Sequence, residues 1–179
     1  MRSVCTTQLK RNIRVGAAVT LLFVVVLAAA YALYTREPEL LDPNELPGEP
    51  VALDEAYGYS QLAPQGIPCV VRLCGNPEID GKDVYLNLTS LEVNSYLVRA
   101  EIYSVVVEVN PSTGEQKTAP DKLLGKTGFI RPGTYVEKLE LDKGLKNGET
   151  PVYIKIALRE EETGHSGGSF YVGTTFVKD

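Results

Sequence analysis

The stretch "GHSGG", Gly164 to Gly168, matches the G-x-S-x-G pattern of a nucleophile elbow, in which a strained turn presents a serine for acyl transfer. That chemistry needs a histidine base and a carboxylate placed across the site from the serine. The single histidine of the chain, His165, adjoins Ser166 in the same stretch and cannot serve from across a site. The segment is therefore expected to be a Gly-rich hairpin turn without catalytic residues.

Metal chemistry has two weak footholds. Glu160, Glu161, Glu162 and His165 lie together in "REEETGH", but neighbours at a strand end point to alternate faces, so a solvated acidic loop is expected. "NPEIDGKD" offers Glu78, Asp80 and Asp83 around Gly81, oxygen ligands of the kind calcium takes. Their spacing is not that of an EF-hand, and a plain turn is the expectation. "GKTG", Gly125 to Gly128, lacks the upstream glycine of a phosphate-binding loop. No cofactor is expected.

Cys69 and Cys74 close the run "CVVRLC". In one continuous strand five steps of roughly 3.3 Å would separate them by about 17 Å, beyond disulfide reach. Buried free thiols are one reading; a strained local disulfide or a bond to another chain are the others. Two such cysteines and one histidine are too few for structural zinc.

The elements around these residues read as strands. Val84, Leu86 and Leu88 alternate with polar neighbours in "DVYLNLT", as do Val152, Ile154, Ile156 and Leu158 in "VYIKIAL". "FYVGTTFV", Phe170 to Val177, alternates again. In "YLVRAEIYSVVVEV" the apolar phase changes at Tyr103-Ser104, which predicts a bulge. Turn chemistry separates the runs. The expected fold is an antiparallel β-sandwich of immunoglobulin-like outline with about seven strands over 67–179. Pro132-Gly133, in "IRPGTY", is expected to be a hairpin turn.

Upstream the composition changes twice. Val15 to Tyr34 holds twenty residues without a charge, enough helix to cross a hydrocarbon core of about 30 Å. Ala30-Tyr31-Ala32 has the form of a cleavage site, but the run is longer than a usual signal-peptide core, so a retained signal-anchor is expected. Gly16 and Thr20 have the small-xxx-small spacing that lets membrane helices approach closely. Segment 1–14 is a basic tail, and acidic residues follow the span, which predicts the N-terminus inside and the rest outside. Segment 35–66 is rich in Pro and acid and reads as an extended linker.

Taken together, "GKTGFIRPGTYVEKLEL", "VRLCGNPEIDGKDVYLNLT" and "VYIKIALREEETGHSGGSFYVGTTF" resemble small Firmicutes-type proteins that pair one N-terminal span with a β-rich outer domain. The resemblance implies a Gram-positive cell-envelope location and that architecture, and it brings no site residues.

With +4 in the first 34 residues and −5 overall, the remainder carries −9, which disfavours nucleic acid as a partner. A domain without tryptophan also makes a poor sugar platform. The expected function is a membrane-anchored extracytoplasmic binding or display module, not an enzyme. Its partners would be the lipid bilayer and an envelope protein or a second copy. The alternative is a structural subunit of an envelope-spanning assembly, such as a secretion or conjugation apparatus, in which Gly16 and Thr20 would pack the span.

Overall fold

A computed structural model describes residues 41–50 and 59–178. The basic tail and the apolar span 15–34, with Gly16 and Thr20, lie outside the described residues. Among the described residues no helix is long and apolar enough to cross a membrane.

The described chain is mainly β, and its sheets are antiparallel. The twelve strands are β1 (Leu46–Pro47), β2 (Tyr59–Leu62), β3 (Val71–Cys74), β4 (Ile79–Asp80), β5 (Asp83–Val84) and β6 (Leu88–Ser90), then β7 (Leu97–Val109), β8 (Gln116–Lys126), β9 (Thr134–Val136), β10 (Leu139–Glu140), β11 (Gly148–Arg159) and β12 (Ser166–Lys178). They form a five-stranded sheet in the order β1-β9-β6-β3-β2, a three-stranded sheet β10-β5-β4 and a four-stranded sheet β12-β11-β7-β8. Ten of the twelve fall within 67–179, so the expected count of about seven there is exceeded, because several runs break into short pieces.

"DVYLNLT" shows how. Asn87 adopts φ 48°, a left-handed conformation that asparagine tolerates better than most residues. Its amide donates to the Glu137 carbonyl at 2.9 Å. The chain therefore leaves the three-stranded sheet after β5 and enters the five-stranded one at β6. Val84, Leu86 and Leu88 stay buried through the change.

All three sheets contribute to one core. Val71, Leu73, Leu88 and Val136 come from the five-stranded sheet, Val84 and Leu139 from the three-stranded one. Val98, Ala100, Ile102, Val152, Ile154, Ile156, Leu158 and Phe176 come from the four-stranded sheet. Burying each of these larger side chains stabilises by roughly 1.5–3 kcal/mol. Register shifts do fall between Ile102 and Tyr103 and between Tyr103 and Val105, but the extra residues lie on β8 rather than on β7 as expected, and β7 keeps its alternation. Beyond Ser104 β7 no longer pairs with β11, and the remainder of the β7–β8 hairpin extends as an arm.

The linker expectation needs correction. β1 pairs with β9 and β2 with β3, so parts of 35–66 belong to the folded unit. Asp42 is buried, and Glu45 takes hydrogen bonds from the Arg131 amide at 2.5 Å and the Thr134 hydroxyl at 2.7 Å. Acidic residues that read as solvated spacers are here satisfied by backbone and hydroxyl donors.

Pro132-Gly133 is a turn, with Gly133 at φ 75°, but it is not a hairpin. It joins the Ile130 bridge to Val98, at one end of β7, with β9 in the other large sheet. The Gly133 amide donates to the Ser90 carbonyl, and its own carbonyl accepts from Gly48. The element is a corner between sheets.

Candidate binding surface

The side chains of β7 and β11 that point away from the core build the most elaborate polar arrangement among the described residues. Glu101 lies opposite Lys155, which lies opposite Tyr171; Tyr103 lies opposite Tyr153, which lies opposite Gly173. Glu101 is 5% exposed although it sits on the face turned from the core. Arg99 donates to it at 2.5 Å, the Tyr103 hydroxyl at 2.8 Å and Lys155 at 3.1 Å.

Electrostatics follow from that geometry. Burial pushes the Glu101 carboxyl up, but hydrogen bonds from Tyr103 and Lys155 and the charges of Arg99 and Lys155 together hold it below its ordinary value. Burial and the hydrogen bond to Glu101 push the Tyr103 phenol up to about 12. The carboxylate is thus charged and the phenol neutral at physiological pH. Arg99 also lies over the Phe129 ring, 4.6 Å from its centroid, with Arg159 on the same ring at 5.8 Å.

On this ionic floor stand three tyrosines. The Tyr171 ring meets Tyr103 at 6.3 Å and Tyr153 at 6.2 Å, both edge-on. Gly173 leaves room for the Tyr153 ring, since a Cβ there would lie 3.3 Å from it. The Tyr153 hydroxyl is 2.8 Å from Thr118 Oγ1 on the arm. Thr118 pairs with Val107, and directly opposed residues share a face, so Val107 and Val109 continue this surface. Tyr171, Val107 and Val109 are 48%, 54% and 55% exposed. Rigid tyrosines beside exposed aliphatics are the composition of a recognition surface.

The residues singled out in the sequence do not gather here. Cys69 and Cys74 are both buried and are not joined to each other, which sets aside the local disulfide among the three readings. Cys69 lies before β3 rather than in a strand shared with Cys74. Burial pushes the Cys69 thiol up to about 11 and raises that of Cys74 as well. Asp80 and Asp83 face each other across β4 and β5, but Asp83 is engaged by Lys138, and Glu78 contributes its carbonyl to the Tyr85 amide. Among the described residues no three His, Cys, Asp or Glu side chains converge as metal ligands.

His165, in the β11–β12 turn, and Ser166, the first residue of β12, are exposed, and the Glu160 amide donates to the His165 carbonyl. Two shallow cavities of about 280 and 360 Å³ flank residues 43–49. The first holds the Arg72–Glu49 ion pair at 2.6 Å, and in the second Glu45 is taken by Arg131 at 3.0 Å.

The tyrosine surface was missed because its residues lie far apart in sequence. The available signal was the off-core phase of "VRAEIY" and "VYIKIA", which carries Glu101, Tyr103, Tyr153 and Lys155 where plain solvated residues would suffice.

Comparison with known proteins returned no matching family model, no similar curated protein and no similar solved structure.

Proposed function

We propose that this chain is a single-pass, membrane-anchored protein whose outer β domain binds another envelope protein and catalyses nothing. The apolar run 15–34 with its basic flank supports the anchor and the outward orientation, in keeping with the Firmicutes-type resemblance. The three sheets sharing one core support reading the domain as a two-layer antiparallel sandwich.

One observation carries the binding function. Half-buried Tyr103 and Tyr153 and exposed Tyr171, with exposed Val107 and Val109, share one surface in which Tyr103 is fixed by Glu101 and Tyr153 by Thr118. Such a surface costs little side-chain entropy on binding, because its aromatic anchors are already ordered.

The test is cross-linking in intact cells with a membrane-impermeant amine reagent, comparing wild type with a Val107→Glu/Val109→Glu variant. The reading expects a cross-linked partner in wild type that is lost in the variant. A chain that stays unreactive until the cells are lysed would overturn the location. A partner retained by the variant would overturn the surface.

A further inference from the structure

The two edges of the four-stranded sheet differ in kind. Edge strands offer unpaired backbone groups, and proteins guard them with lysine, proline, bulges and charge. β8 is guarded in all these ways: it carries Lys117, Pro120, Asp121, Lys122 and Lys126, and its pairing with β7 slips twice. β12 is not. From Ser166 to Val177 it has no charged residue. It pairs with β11 from Gly148↔Lys178 to Leu158↔Gly168 without a shift, and among the described residues no strand lies on its other side.

Both faces of β12 are also apolar. Phe170 and Val172 pack against the core yet remain only half-buried, while Tyr171 and Val177 are exposed on the opposite face. Exposed edge strands are normally blunted by charge or proline, and β12 from Ser166 to Val177 carries neither. β12 has the composition of a central strand in an edge position.

We infer that β12 is a self-association edge, pairing antiparallel with β12 of a second copy to make one continuous sheet across a two-fold axis. The charge distribution selects this occupant. The part of the chain beyond residue 34 carries −9, so two copies repel wherever acidic surfaces meet. β12 offers an uncharged strip on both copies, about 30 Å long over Ser169–Val177 at roughly 3.3 Å per residue. A second copy carries a matching two-faced strand by construction, and antiparallel pairing of identical strands is isologous, the commonest oligomer geometry. The pairing would also cover the open sides of Phe170 and Val172. This edge is distinct from the arm valines proposed to hold a partner.

The test uses the full chain with Cys5→Ser in mild detergent, its mass followed by sedimentation against concentration. The wild-type sequence is expected to dimerise, and Thr175→Lys with Val177→Lys to weaken that dimer tenfold or more by placing like charges across the axis. Both positions are solvent-exposed, and unchanged circular dichroism verifies the fold. Val107→Glu/Val109→Glu should leave the dimer intact, which separates this inference from the partner-binding reading. Single cysteines at Ser169, Thr175 and Val177 supply an independent readout: oxidation should link copies through at least one of them and not through Lys117→Cys on β8. A monomer at micromolar concentration, a dimer indifferent to the lysine pair, or links through Lys117→Cys alone would each overturn the inference.

Discussion

The amide of Gly128 donates to Asp42 Oδ2 at 2.7 Å across 86 residues of sequence, so closely that a Cβ at 128 would lie 2.5 Å from the Asp42 Cα. Asp42 Oδ1 also takes the Asn44 amide at 2.9 Å, and the Asp42 amide donates to the Phe129 carbonyl at 2.8 Å. This knot fastens the stretch around Asp42 to the body of the domain.

Asp42→Ala leaves two amides short of their acceptor and should cost about 1–3 kcal/mol in urea unfolding. Gly128→Ala should weaken the domain in the same way, because the clash is with backbone and no side chain can swing aside. Limited proteolysis should then cut within 41–50 in both variants while the wild type resists.

Glu101→Gln should be worse than a location on the face turned from the core suggests. It removes the charge that Arg99 and Lys155 share, leaving two partly buried cations without their counter-ion, at a cost on the order of 3 kcal/mol. The pH sign follows from a folded pKa below the ordinary 4.5. The contribution is fully present above 4.5 and is lost as acid takes the pH through the lower folded value. Wild type should therefore lose its advantage over Glu101→Gln in acid, measured as the difference between their unfolding midpoints.

Cys69 governs the alkaline side. Its folded pKa of about 11 exceeds the ordinary 9.0, so the folded chain holds this proton more tightly than the unfolded chain. Its stabilising effect is complete below pH 9 and declines toward 11, by about 1.4 kcal/mol per pH unit within that window. In Cys69→Ala the part of the alkaline slope belonging to this thiol should vanish. Other titrating groups are common to both proteins and cancel in the comparison. A slope unchanged by the substitution would show that Cys69 does not titrate on unfolding.

Phe176 anchors β12 to the core with no measurable exposure. Phe176→Ala should cost roughly 3–5 kcal/mol, whereas Thr175→Ala next to it should move the urea midpoint very little. Hydrogen exchange of β12 amides in Phe176→Ala should accelerate before that of β7.

Much of the β architecture was legible. "VYIKIAL" and the first half of "YLVRAEIY" alternate because one face of each strand is buried, and burial is written residue by residue. The change of apolar phase near Tyr103-Ser104 was legible too, but it marks where β7 leaves β11 and its apolar residues pass to the face of Tyr103, while the extra residues lie on β8. Elsewhere the deciding groups lie far away in sequence. "DVYLNLT" alternates without a break, yet it divides at Asn87, whose amide finds the Glu137 carbonyl. Asp42 and Glu45 look like spacer acids until Gly128, Arg131 and Thr134 reach them. Pro132-Gly133 announced a turn, but only the Val98–Ile130 bridge makes it a corner between sheets.

The binding surface was least legible of all. Tyr103, Tyr153 and Tyr171 are anonymous tyrosines until β7, β11 and β12 are placed side by side in register. By itself the sequence determined which residues must leave water and where the chain can turn, because hydrophobicity and backbone freedom are local properties. Which acids find donors, and which tyrosines meet, was decided by strand pairing alone, because only the fold brings distant positions within hydrogen-bonding range.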